Sequence, residues 1–270
     1  MTRAISMFII IAAFLGMGGT RVNAQQTYFR TDEAARSLYE MPPRYLINAA
    51  TAGTLPRGCF HIVMRVYNGG GMLGETAIGL SNRLMVGMSY GAEKIISDYS
   101  ADSNPGIEFN IRLRIIDENY LLPAVAVGYN SQGYGAYLED RERYTYKSKG
   151  FFAVISRNFM TSYLTAGGHV GVNYSLENDV DNDKEPTVFF GLDTRFNNNI
   201  AMAFEYDMAL NDDRASQNYA RGRGYLNVGI KWMYSDNLEL ELLFNDLLQN
   251  RKQDATTFGR ELRFTYIEFF

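Results

Sequence analysis

Acid–base or nucleophilic chemistry near neutral pH would have to centre on an imidazole or on paired carboxylates. The chain has two histidines, His61 and His169. His169 lies in Gly167-Gly168-His169-Val170-Gly171, with Thr165 and Asn173 on the same strand parity. No Ser, Asp or Glu accompanies either histidine at a telling spacing, so both read as polar residues satisfied inside a fold, and no catalytic residue is assigned. Asp179, Asp181 and Asp183 have the rhythm of a calcium loop, but Lys184 stands where the turn glycine belongs and Phe190 where the bidentate glutamate belongs. Gly69-Gly70-Gly71 and Gly222-Arg223-Gly224 open no helix and read as turns rather than phosphate cradles. The expectation is a non-enzymatic chain with no metal and no cofactor.

The remaining chemistry lies in charges spaced two apart. In Ile107-Glu108-Phe109-Asn110-Ile111-Arg112-Leu113-Arg114-Ile115 the odd positions are apolar and the even ones polar or charged. A strand sends neighbours to opposite faces, so one face is hydrocarbon and the other ionic. The same parity assigns His61, Arg65, Glu75, Glu108, Asn110, Arg112, Arg114, His169, Asp193, Arg195, Glu205, Asp207, Lys231, Glu239, Glu241, Glu261 and Arg263 to one enclosed polar face. Such a face could form a passage for sugar hydroxyls or charged solutes, or a salt-bridged filling of a narrow barrel; both need the same residues. Gly150–Asn158 is ambiguous, because Lys149 and Arg157 share parity with Phe151 and Ile155.

Twelve segments carry this alternation: 60–67, 72–80, 84–90, 107–115, 121–129, 150–158, 164–174, 188–196, 200–208, 226–234, 238–244 and 262–270. Most have about 9–11 residues, the length that crosses a bilayer when tilted. Short links, four of them containing Asn, alternate with longer polar loops; only Asn68–Gly71 is short where a long loop is due. Short–long alternation and an even strand number predict an all-β, antiparallel up-and-down transmembrane barrel with both termini on the periplasmic side. Leu262, Phe264, Tyr266 and the terminal Phe270 share one parity and read as the signal for insertion machinery, which Glu268 interrupts.

The 270 residues start with Arg3, an apolar run over Ile5–Leu15 and small residues before Gln25, a secretory leader cleaved after Ala24. Residues 25–57 lack clean alternation and are broken by Pro42-Pro43; they read as a periplasmic or lumen-entering N-terminal segment, with a short helix conceivable over Asp32–Tyr39. The barrel is expected over 58–270. A net charge of −4, more negative once Arg3 and Arg21 leave, gives no argument for nucleic acid. The lone Cys59 cannot form an internal disulfide and reads as an apolar residue.

Two stretches resemble the YjbH-like family of exopolysaccharide-associated outer-membrane barrels. One is Ile47-Asn48, Thr51-Ala52 and Leu55-Pro56-Arg57-Gly58; the other runs over 106–159 through Ile107-Glu108-Phe109, Arg112-Leu113-Arg114-Ile115, Tyr120–Gly128 and Ser148-Lys149. The resemblance implies a bacterial outer-membrane location and a role in exopolysaccharide secretion or envelope assembly. The implied partners are outer-membrane lipid, the barrel-insertion machinery and polysaccharide or its export proteins. The chain is shorter than full-length family members and has no lipobox cysteine. A general or sugar-selective diffusion porin and a barrel hydrolase remain the alternative readings.

Overall fold

A computed structural model describes residues 41–160, 164–197, 199–213, 220–252 and 258–270. The expected leader, its expected cleavage after Ala24 and the segment around Asp32–Tyr39 lie outside the described residues. Twelve strands form the wall: β1 (Cys59–Tyr67), β2 (Gly71–Ser81), β3 (Leu84–Glu93), β4 (Glu108–Ile116), β5 (Ala124–Asn130), β6 (Gly150–Met160), β7 (Thr165–Tyr174), β8 (Thr187–Arg195), β9 (Ile200–Asp207), β10 (Tyr225–Met233), β11 (Leu238–Asn245) and β12 (Gly259–Phe269). Each pairs antiparallel with its chain neighbours, and β1 pairs β12 from Cys59↔Phe269 to Val66↔Leu262. The sheet therefore closes on itself and leaves no edge. β5 starts only after Pro123, which has no N–H to give the ladder.

The period-two pattern becomes an inside and an outside. Ile62, Met64, Met88, Phe109, Ile111, Leu113, Ile155, Leu192, Ile230, Leu242 and Leu262 are exposed on the outer surface, while Arg65, Arg112, Glu205, Lys231, Glu241 and Arg263 are buried. Leu262, Tyr266 and Phe270 are exposed, and Phe270 stacks on Phe60 at 5.3 Å. Glu268, at the strand end, accepts the Tyr266 hydroxyl at 2.7 Å.

The parity of 149–158 is decided by a β-bulge. Gly150 and Phe151 both oppose Tyr174, and Gly150 takes φ +56°, a conformation L side chains avoid. The extra residue flips the face, so Lys149 and Phe152 both point inward while Phe151 and Ile155 face out. Arg157 stays at the turn end, donating to the Tyr120 carbonyl at 2.8 Å.

Residues 41–57 are not a segment beneath the barrel. They enter the lumen from the turn end as a hairpin, with the Tyr45↔Ala50 bridge and a tight turn closed by Leu46 N–H to the Ala49 carbonyl at 3.0 Å. Of the periplasmic and lumen-entering placements that the sequence allows, residues 41–57 take the second, because their apolar side chains pack inside the barrel. Leu46, Ile47, Ala49, Ala50 and Ala52 pack against Ala124, Ala126, Phe152, Val154, Phe189, Ala203 and Leu243. Lower down, Met41 and Leu55 join Cys59, Ala77, Met85, Met233 and Ile267. Gly191 makes the seat possible, since a Cβ there would overlap Leu46.

A second hairpin, Tyr134–Leu138 with Arg143–Tyr146, folds into the mouth from the long-loop end. Its Tyr134 and Tyr146 pack with Tyr67, Leu73, Ala209 and Tyr225. The sequence pattern alone predicts only a long polar loop over 130–149.

Candidate functional site

The candidate site is the lumen between the two hairpins. Its wall carries a belt of charge set by strand register. Lys231 opposes Glu241, Glu241 opposes Arg263, and Arg263 opposes Arg65. Arg263 makes two bonds of 2.6 Å to Glu241, which Lys231 also meets at 3.2 Å. Arg65 pairs with Glu261 at 2.6 Å. These charges are out of water, where an unpaired ion costs several kcal/mol, on the order of the pair itself, so each is answered from the wall.

The hairpin's backbone is held by the same wall. One Glu205 oxygen accepts the N–H groups of Ile47, Asn48 and Ala49 at 3.0, 2.8 and 2.7 Å. Asn227 donates to its other oxygen at 2.9 Å. Arg263 donates to the carbonyls of Leu46 and Ile47, both at 2.9 Å. Arg112 reaches the carbonyls of Arg44 and Gly53, both at 2.7 Å, and Arg65 meets Asn48 at 2.7 Å. The tip's amides and carbonyls are thus matched by a carboxylate and guanidinium groups that sequence alone placed on one face without naming what they hold.

The other expected lumen residues spread along the axis. His61 and Asn110 meet Glu75 at 3.2 and 3.3 Å, and Tyr45 donates to it at 3.1 Å. Arg114 lies at the turn end on Asp117 at 2.8 Å. Glu108 lies at the mouth near the Tyr144 hydroxyl at 3.4 Å, and Asp207 pairs with Lys149. Arg195 and Glu239 line a residual cavity beside the hairpin, shared with Arg44, His61, Lys231 and Asp193. That cavity holds about 50 Å³, room for only a few waters.

The mouth is closed by its own ion cluster. Arg143 makes bonds of 2.8 and 3.0 Å to Asp212 and one of 3.2 Å to Asp181. Lys147 meets Asp181 at 2.5 Å. The middle aspartate of the calcium-like run is therefore spent on protein cations. Among the described residues no cluster of His, Cys, Asp or Glu is arranged to hold a metal. Glu177, packed under this cluster, accepts the Ser148 N–H at 3.1 Å. Burial pushes its carboxyl up to about 7, against the pull of nearby Arg143.

His169 is satisfied by a hydroxyl and a carboxylate, both supplied by neighbouring strands. Its Nδ1 lies 2.8 Å from Ser156 Oγ and its Nε2 lies 2.7 Å from Asp193 Oδ1. Ser156 is directly opposite His169 in the β6–β7 register, and Asp193 reaches across from its place opposite Gly167. No spacing rule along the chain would find these residues; only the register does.

No family model matches the sequence, and no curated protein matches it. Among solved structures, the KdgM porin has a TM-score of 0.44 at 9% identity, covering 78% of this chain and 99% of that one. The NanC porin has a TM-score of 0.42 at 10% identity, with coverage of 78% and 99%. An outer-membrane channel from Pseudomonas putida F1 has a TM-score of 0.39 at 11% identity, with coverage of 84% and 99%. The assignment of a closed barrel rests on this chain's own pairing and closure.

Proposed function

We propose that this protein is an outer-membrane channel for hydrophilic, saccharide-like solutes, stoppered by its own residues 41–57 and serving exopolysaccharide secretion or envelope assembly. The bilayer placement is supported by the inverted surface: apolar side chains outside, ions inside, on strands of seven to eleven residues. No helix among the described residues is long and apolar enough to cross a membrane, so the strands would be the crossing elements.

The observation that carries the channel reading is the division of bonds at the hairpin. Arg65, Arg263 and Lys231 keep wall carboxylates as partners whether or not the hairpin is present. A stopper that leaves exposes a wall already paired and ready to be hydrated. The freed guanidinium and carboxylate groups are the donors and acceptors that bind hydroxyl-rich solutes. The polysaccharide link is supported by the resemblance over 47–58 and 106–159. Those two stretches lie against each other, Arg112 on the Gly53 carbonyl and Ser156 under the Ala52 N–H at 2.9 Å.

Planar-bilayer recording tests the proposal. The intact protein should be silent or flicker briefly, and a variant lacking residues 41–53 should show stable open steps. A folded deletion variant as silent as the parent overturns the reading.

A further inference from the structure

We propose that Ser156, His169 and Asp193 form a nucleophile, base and positioning acid for ester hydrolysis, capped by the hairpin that fills the lumen. The inference rests on the stopper reading above, because the cap must leave for a substrate to enter.

The hydrogen-bond directions are fixed by chemistry. An ionised Asp193 can only accept, so His169 Nε2 carries the proton at the 2.7 Å contact. Nδ1 is then the bare nitrogen, and at 2.8 Å it accepts the Ser156 O–H. An oriented imidazole accepting a serine proton is the constellation that activates an alkoxide. Asp193 acts through His169 and is a positioning residue. The room for it comes from Gly167, where a Cβ would overlap the Asp193 carboxylate. All three residues face the lumen, and Asp193 also lines the residual cavity.

The cap is the Ala52 N–H, which donates to Ser156 Oγ at 2.9 Å. It occupies the lone pair that would attack, and the hairpin fills the space a substrate would take. When the hairpin withdraws, three changes coincide. Ser156 Oγ loses its donor. The Arg112 guanidinium loses the Arg44 and Gly53 carbonyls and becomes a cation open to polar groups of a substrate in the lumen. The apolar floor of Ala124, Ala126 and Val154, now covered by Ala52 and its neighbours, opens beside Ser156. A small apolar floor in a charged passage suits a short acyl group carried on a polar, hydroxyl-rich molecule.

The reaction balances with water as the only co-reactant. Ser156 Oγ bonds to the acyl carbon while its proton passes to His169 Nδ1. The ester C–O bond breaks, and the imidazolium proton goes to the departing alkoxide. Water then attacks the acyl-serine by the same relay, releasing the acid and restoring Ser156.

The test is covalent labelling by a fluorophosphonate probe, located by peptide mass spectrometry, on folded protein whose conductance is recorded in parallel. The intact chain should label slowly. The variant lacking 41–53 should label at Ser156 faster, and His169→Gln in that background should lower the rate about a hundredfold and abolish its pH dependence. Gly167→Ala and Asp193→Asn should slow labelling, and Asp193→Glu should recover part of the rate. Should the deletion variant fail to fold, Glu205→Ala, which retains the whole hairpin, takes its place. Open conductance without Ser156 labelling overturns the relay and leaves the channel standing. Labelling that survives His169→Gln also overturns it. A folded variant that labels but never conducts sinks the channel reading instead.

Discussion

Glu205 shows how a single carboxylate decides whether the lumen is filled. Three consecutive amides converge on one oxygen, and each would cost about 1–3 kcal/mol if left buried without an acceptor. The hairpin has an escape that a core residue lacks, since it can move into water and satisfy those amides there. Glu205→Ala should therefore release the stopper rather than unfold the barrel. Bilayer recordings should show long open events, while the heat-modifiable gel mobility of the folded barrel stays as in the parent. The belt behaves differently, because Arg263 and Glu241 have no water to retreat to. Arg263→Ala should destabilise the barrel by about 3–5 kcal/mol, since Glu241 loses its bidentate partner and the Leu46 and Ile47 carbonyls lose their donor, read from denaturant midpoints. Parity made these wall charges legible in the sequence, since an ion on a strand of alternating hydrocarbon has one face open to it. The Ser156–His169–Asp193 relay was not legible. Its members sit 13 and 24 positions apart in the chain, and only cross-strand register brings them together.

At the scale of elements, the twelve strands were readable because each carries its own period of two, and their ends were set locally by Pro, Gly and Asn. The two inserted hairpins were not. Residues 41–57 have no alternation of their own because they are surrounded on all sides, apolar tip against Ala203 and Leu243 and polar backbone against Arg and Glu. The mouth hairpin is Tyr-rich and polar, which reads as solvated loop until Asp212 and Asp181 are seen to neutralise Arg143. Its packing against 175–186 gives a pH test. Glu177 has a folded value of about 7 against an ordinary 4.5, raised chiefly by burial. The packed loop therefore prefers the protonated carboxyl, and that stabilisation is whole below about 4.5 and lost as pH rises through about 7. Hydrogen exchange in 175–186, corrected for intrinsic rates, should quicken across that window in the parent. It should stay flat in Glu177→Gln. Equal pH dependence in both proteins would remove Glu177 as the cause.

The molecule as a whole inverts the usual distribution of polarity, and this inversion can be tested apart from any transport or chemistry. In water, Ile111 would be an ordinary exposed side chain, 45% accessible on β4, and replacing it by Arg would change stability by no more than about 0.5 kcal/mol in either direction. In a bilayer the same position lies near the middle of a nine-residue strand. There a guanidinium on the outer face costs about 2–4 kcal/mol. Its neighbour Arg112 supplies the internal control, since it points inward to the Arg44 and Gly53 carbonyls and already tolerates the charge. Reversible unfolding in phospholipid vesicles should place Ile111→Arg several kcal/mol below the parent, on the order of that midplane cost. A charge moved to Tyr266, opposite Leu238 where β11 leaves its short turn, should cost much less, because headgroups and water lie within reach of a long side chain. The depth dependence is the decisive feature: a bilayer makes the penalty fall from strand centre to strand end, whereas a water-exposed wall gives the same small value at both.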